Sequence, residues 1–106
     1  MTIKPFTHTA KGLPLCLVPS KAPYTTQIWR VLLCGVQIAE AFIPSAVPDM
    51  FCVEAFSPDD TGMPDVDDIH VMIGADLDRS MREALDQFAD AFLAAAAAEQ
   101  ALMEAA

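Results

Sequence analysis

The chain has 106 residues, of which 54% are apolar and 20% are charged, and its formal net charge is −9 at pH 7. This length and apolar content predict one folded domain with its own core and argue against a disordered chain. The acidic balance argues against direct binding to nucleic-acid phosphates or to an anionic membrane, because both need clustered Lys and Arg.

The charge is sorted along the chain. Residues 1–39 contain four basic residues and no carboxylate, whereas residues 40–106 contain all fifteen carboxylates and two arginines. Nine of the acids lie between Asp49 and Asp78 without a single base among them. A block of one sign must face water, a cation or a positively charged partner.

The first half of the chain is predicted to form strands, because prolines interrupt it too often for long helices. Leu13–Val18 is predicted as a short edge strand, since Pro14 cannot donate a backbone hydrogen bond. Ser20–Thr26 is predicted as a loop. Gln27–Cys34 is rich in β-prone residues and predicts a strand that ends in a turn at Gly35.

The middle of the chain contains one ambiguous segment. Val36–Ile43 fits both the alternation of a strand and one face of a helix, and a strand is favoured because the segment follows a glycine and runs into Pro44. Met50–Phe56 alternates as a strand. Ser57–Asp68 is predicted as an acidic loop and Ile69–Ile73 as a further short strand.

The C-terminal segment predicts a long helix from about Met81 to about Met103. Ser80 with Glu83 fits a capping box, in which the serine hydroxyl and the glutamate satisfy free backbone N–H groups. The helix has one apolar face, and we expect it to pack on the sheet; its members are Met81, Leu85, Phe88 and Phe92. We expect the alanine-rich second half to extend beyond the sheet.

These elements predict an α+β fold, namely an antiparallel meander of four to five strands with the long C-terminal helix packed on one face. The whole chain, residues 1–106, is predicted to be a single domain. Residues 1–79 are expected to be mainly strands and loops, and residues 80–105 to be helical.

The three cysteines, Cys16, Cys34 and Cys52, each lie in an apolar run and form no CxxC pair. They are predicted to be buried free thiols, which favours a reducing compartment. The N-terminal residues lack the apolar stretch of a signal peptide, and no continuous apolar segment reaches the ~18 residues needed to span a membrane. We therefore expect a cytoplasmic protein.

No motif is specific enough to name a reaction. The cluster from Asp59 to His70 is rich in oxygen ligands, but it lacks the glycine and the terminal glutamate of a calcium-binding loop. The cysteines lack the polar setting of a nucleophile, and no glycine-rich loop precedes a helix. The two histidines are expected at the surface (His8) and on a sheet face (His70). The sequence therefore predicts no catalytic residue, no metal ligand and no cofactor.

What remains is the charge itself. The sequence predicts a small non-enzymatic protein that binds the basic surface of another protein, as a nucleic-acid mimic does when it occupies the groove of a nucleic-acid-handling complex. An inhibitor of the anti-CRISPR type, encoded by a phage, is one form of this hypothesis. The predicted partner-binding residues are Glu54, Asp59, Asp60, Asp65, Asp67, Asp68, Asp76 and Asp78.

Two alternatives remain open. One is a structural module that forms a homodimer through the alanine-rich helix, with Leu93, Ala96, Leu102 and Met103 as the self-association residues. The other is a cation-dependent enzyme or sensor that uses the cluster from Asp59 to His70.

Overall fold

The computed structural model of the chain describes residues 5–20, 27–55 and 66–105. Six antiparallel strands follow one another in the sheet in chain order, and one helix comes last. The elements are β1 (Phe6–Ala10), β2 (Leu13–Ser20), β3 (Gln27–Leu33), β4 (Val36–Ile43), β5 (Met50–Ala55), β6 (Ile69–Met72) and α1 (Leu77–Ala105). The predicted α+β meander with a helix on one face is confirmed, with six strands instead of four to five because β1 was not predicted.

Two tight turns define one end of the sheet, which we call the hairpin end. Lys11 and Gly12 join β1 to β2, and Cys34 and Gly35 join β3 to β4; all four have positive φ, between 51° and 86°. Two consecutive left-handed residues give the turn whose twist matches that of paired strands. Cys34 is exposed at its turn, so the prediction that it is buried is wrong.

β2 is an interior strand, so its prediction as an edge strand is wrong. Pro14 pairs with Thr9 next to the tight turn, where the alternation of the ladder points its nitrogen away from β1. On the other side, the pairing with β3 begins only at Leu15. Pro14 therefore removes no hydrogen bond from either ladder, and β1 occupies the edge.

The ambiguous segment Val36–Ile43 is the strand β4. Its register with β3 shifts between Val31 and Leu32, so that Ile38 has no opposite residue. This bulge allows two consecutive side chains, Ile38 (1% exposed) and Ala39 (0% exposed), to be buried.

The helix α1 begins at Leu77, earlier than the predicted start at residue 80 or 81. Its cap is Asp76, whose Oδ1 accepts hydrogen bonds from the N–H groups of Asp78 (3.0 Å) and Arg79 (3.4 Å). Ser80 lies inside the helix, where its hydroxyl donates to the Asp76 carbonyl at 3.2 Å. The predicted capping box is therefore wrong, because an aspartate four residues upstream already satisfies the free N–H groups.

The helix covers one face of the sheet, which we call the inner face. It packs against β5 and β6 and also against β1, the strand at the opposite edge. The sheet therefore curls around the helix, which joins its two edges. The inner face and the helix form one apolar core, whose largest members are Phe51, Phe88, Leu15, Leu17, Ile38 and Leu85.

The second half of α1 extends past the hairpin end of the sheet, as predicted. The helix has 29 residues, or about 43 Å at 1.5 Å per residue, whereas an eight-residue strand spans about 26 Å. Its last half-buried residue is Ala96. Within the described ranges, no helix is both long enough and apolar enough to cross a membrane.

Candidate protein-binding surface

The face of the sheet opposite the helix, which we call the outer face, mixes apolar and charged side chains. Cross-strand register and alternation identify its members on β2 to β6. They include Cys16, Val18, Ile28, Arg30, Leu32, Glu40, Phe42, Met50, Cys52, Glu54, His70 and Met72. Sequence reasoning did not single out this surface, because its composition follows from strand pairing.

One row of the outer face brings carboxylates together. Glu40 on β4 lies directly opposite Glu54 on β5. Asp68 precedes β6 next to the paired residues Val53 and Ile69, and so lies beside Glu54. Like charges on directly opposite positions of a sheet destabilise it. We call Glu40, Glu54 and Asp68 the carboxylate row.

The field of the carboxylate row extends to Cys52. Burial raises the pKa of the Cys52 thiol, and the negative charges of Glu54 and Asp68 raise it further. His70 lies directly opposite Cys52. Because a raised pKa disfavours the thiolate, this Cys–His pair lacks the activated sulfur of a nucleophile.

Among the described residues, no basic side chain forms an ion pair with the carboxylate row. Arg30 is opposite Glu40 on β3, but it is not within ion-pair distance of any carboxylate in the described part of the chain. A hydrogen bond in these residues joins His8 Nε2 to Asp86 Oδ1, at 2.9 Å. It ties β1 to the helix on the inner side, so His8 is a half-buried residue with a partner and not the surface residue that was expected.

The predicted partner-binding residues within the described ranges divide between the two ends of the sheet. Glu54, Asp67 and Asp68 are exposed near the hairpin end, where β5 ends and β6 begins. Asp76 and Asp78 follow β6 and are exposed at the other end. Since β6 alone spans about 13 Å, these acids form two groups. The predictions for Asp59, Asp60 and Asp65 lie outside the described residues.

The two groups differ in what they do. Asp76 caps the helix, and Asp78 lies in its first turn, where the helix dipole favours a negative charge. Glu54 and Asp68 form no hydrogen bond or ion pair with another described residue, and each stands beside another acid. The group at the hairpin end is therefore the better candidate for binding a partner.

The described residues form two small pockets and no group arranged to hold a metal ion. Across residues 5–20, 27–55 and 66–105, no group of three or more His, Cys, Asp or Glu side chains is arranged to hold a metal ion. A pocket of about 260 Å³ lies between β6 and the start of the helix, and one of about 190 Å³ lies over β1 and β2. Both are smaller than the ~300–1,000 Å³ of typical ligand sites.

The predicted self-association residues lie on different sides of the extended half of α1. Leu102 is 73% exposed and continues the core-facing stripe of Phe88 and Ala95, at steps of seven residues. Leu93 is 40% exposed and lies about half a turn from Leu102 around the helix axis. Ala96 is half-buried, and the side chain of Met103 lies outside the described residues.

The fold thus defines an α+β protein built from a meander that curls around one C-terminal helix. Comparisons with known protein families, with characterised proteins and with solved structures find no match to this chain. The surface chemistry of this chain is therefore what indicates its function.

Proposed function

We propose that this protein is a non-enzymatic protein-binding module that receives the basic surface of a partner on its outer face. The carboxylate row carries the proposal. Glu40 and Glu54 repel each other across two strands, and Asp68 adds a third negative charge. A Lys or Arg side chain of a partner placed between them would remove this repulsion, so binding is favoured by the strain of the unbound state.

The surroundings of the row indicate what else the partner carries. Val18, Ile28, Leu32 and Phe42 are half-buried on the same face and leave apolar area for contact. Buried apolar contacts supply affinity, whereas charges of opposite sign supply association rate and orientation. The proposed partner surface therefore presents basic residues next to apolar ones.

A nucleic-acid-handling complex is a partner class with such a basic surface. Inhibition of one, as by an anti-CRISPR protein of a phage, is the narrowest form of this proposal and rests on size and charge. The three free thiols fit a reducing compartment such as the cytoplasm.

The test compares two variants that lose the same charge from different faces. The first is Glu40→Gln/Glu54→Gln/Asp68→Asn, and its control on exposed positions of the helix is Asp78→Asn/Glu83→Gln/Glu99→Gln. Affinity capture from the source cell with the unmodified protein identifies the partner, and calorimetry then measures each Kd.

We expect the first variant to weaken binding at least about tenfold, and the control to remain within about twofold. Raising the salt from ~50 to ~500 mM should weaken partner binding by the unmodified protein more than binding by the first variant, because salt screens exposed charges. Equal losses in both variants would refute the outer face as the binding surface. A Kd insensitive to both variants and to salt would refute the electrostatic proposal altogether.

Leu102 supports the second candidate function, an assembly module. Leu102 lies on the same stripe of the helix as the core residues, but past the end of the sheet, where its apolar side chain is exposed. Truncation after Leu93 tests this candidate: a loss of self-association, with the fold preserved, would support it.

A further inference from the structure

The strand β1 has an open edge. In the part of the chain that the structure describes, β1 pairs with β2 on one side and with no strand on the other. Because Ala10 and Leu13 flank the tight turn as a hydrogen-bonded pair, the alternation points the N–H and C=O groups of Thr7 and Thr9 away from β2.

Edges of this kind are normally protected by charge or proline. The five residues of β1, Phe-Thr-His-Thr-Ala, contain neither Lys, Arg, Asp, Glu nor Pro. Its two threonines are exposed and β-branched, which favours a further strand at this position. The β1 edge therefore contains none of the residues that normally prevent another strand from pairing with it.

The helix runs beside this edge in the same direction as β1. The Arg82 guanidinium lies 6.0 Å from the centre of the Phe6 ring, and Asp86 pairs with His8 one helical turn further on. Asp90 follows after another turn and so reaches the level of Ala10. The flank of the helix along β1 is therefore positive at one end and negative at the other.

We infer that a second copy of this chain occupies the β1 edge, antiparallel to the first and related to it by a two-fold axis at His8. In this register Thr7 lies opposite Thr9 of the partner subunit, and the two exchange both backbone hydrogen bonds. The same axis places Arg82 opposite Asp90 of the partner subunit, twice by symmetry, and it brings the two copies of Asp86, each hydrogen-bonded to its own His8, to the middle of the interface. The flank is self-complementary, as an isologous interface requires.

The other edge of the sheet is unsuited to a second copy. β6 has only four residues, and exposed acids lie at both of its ends, Asp67 and Asp68 before it and Asp76 and Asp78 after it. A two-fold pairing through β6 would bring these acids against each other. Charge therefore selects β1 for self-association.

The test is the concentration dependence of the mass in sedimentation velocity of the full chain, from ~5 to ~200 μM, since a five-residue ladder with one helix flank makes a weak dimer. We expect a monomer–dimer equilibrium. Arg82→Glu should raise the dimer Kd at least about tenfold, and Arg82→Glu/Asp90→Arg should bring it back to within about threefold, because the swapped charges again face each other.

Two further variants separate edge pairing from other contacts. Thr7→Pro removes an N–H that points away from β2, so it should abolish the dimer with the monomer fold intact by circular dichroism. Met72→Lys changes the β6 edge and should leave the Kd unaltered.

Three results would overturn the inference: a monomer at every concentration, a charge swap that fails to restore the dimer, or a dimer lost in Met72→Lys and kept in Thr7→Pro. Binding of the proposed basic partner to the outer face is measured separately and does not enter these outcomes.

Discussion

The two faces of the sheet are formed by the same strands but differ in composition and in what covers them. The inner face is largely apolar, with His8 at its β1 edge hydrogen-bonded to Asp86, and it is covered by the chain's own helix, so its side chains are fixed by packing. The outer face alternates with it residue by residue, yet it combines half-buried apolar side chains with three carboxylates that no basic side chain in the described ranges neutralises. The packing that stabilises the fold is concentrated on the first face, and the proposed binding surface lies on the second.

The largest expected effect is on the free energy of unfolding, and it distinguishes the two faces when one side chain on each is truncated to alanine. Phe88→Ala removes a ring that is 1% exposed at the centre of the core, and it should lower the free energy of unfolding by about 3–5 kcal/mol. Leu32→Ala on the outer face should cost only about 1 kcal/mol, since Leu32 is half-buried. Urea denaturation of both variants measures the difference. Equal losses would mean that the outer face is also part of the core.

The second prediction compares two thiols. Cys34 is exposed in its turn, whereas Cys52 is buried and has a raised pKa. A thiol reagent at pH 8 should therefore modify Cys34 rapidly and Cys52 at least about a hundredfold more slowly, since only the accessible thiolate reacts. Mass spectrometry of timed samples, with Cys34→Ser as the control, identifies which sulfur has reacted.

The same thiol gives a pH dependence of stability. Because the folded state raises the pKa of Cys52, its contribution to stability is complete below the pKa of the unfolded thiol and is lost as the pH rises through the folded value. Cys52→Ala should make the unfolding free energy less dependent on pH in the alkaline range. An unchanged alkaline slope in this variant would contradict the assigned cause.

A smaller effect concerns the helix that covers the inner face. Asp76→Ala removes the acceptor of two helix N–H groups and should lower the free energy of unfolding by about 1 kcal/mol. Asp76→Asn retains an acceptor and should retain most of that stability. Thermal unfolding of the two variants distinguishes the cap from a general effect of charge.

The smallest expected effect is a gain in stability, whereas the substitutions of Phe88, Leu32 and Asp76 to alanine lower it. Glu54→Gln removes one member of the Glu40–Glu54 pair and should raise the free energy of unfolding by about 0.3 kcal/mol, while it weakens binding of the proposed partner. The gain should shrink at high salt, because screening already weakens the repulsion. A loss of stability in this variant would show that Glu54 has a structural role.

Local signals in the sequence were enough for most of the fold. The alternation in β3 and β5 and the apolar stripe from Met81 to Phe92 each belong to one continuous segment, so they predicted the strands and the helix. β1 was missed because five residues of mixed polarity after Pro5 carry little alternation. The cap was misassigned because Ser80 and Asp76 both precede an apolar stripe, and only the backbone shows which one accepts the hydrogen bonds.

The candidate site was much less predictable. The charge block indicated an acidic surface, but Glu40 and Glu54 become neighbours only through the pairing of β4 with β5. Their side of the sheet also depends on the bulge at Ile38, which shifts the register of β4 by one residue. A one-dimensional pattern does not contain this information. The same limit concealed the contact between His8 and Asp86, which are 78 residues apart.

The helix that contacts both β1 and β6 follows all six strands in the sequence, so the core cannot close during synthesis until this helix has emerged. The first strand leaves the ribosome long before the segment that will shield it, so the nascent meander presents a bare apolar concavity until the last quarter of the chain has emerged. A stalled translation product that ends before Leu85 would keep that concavity uncovered, and it would be a substrate for chaperones or a seed for aggregates.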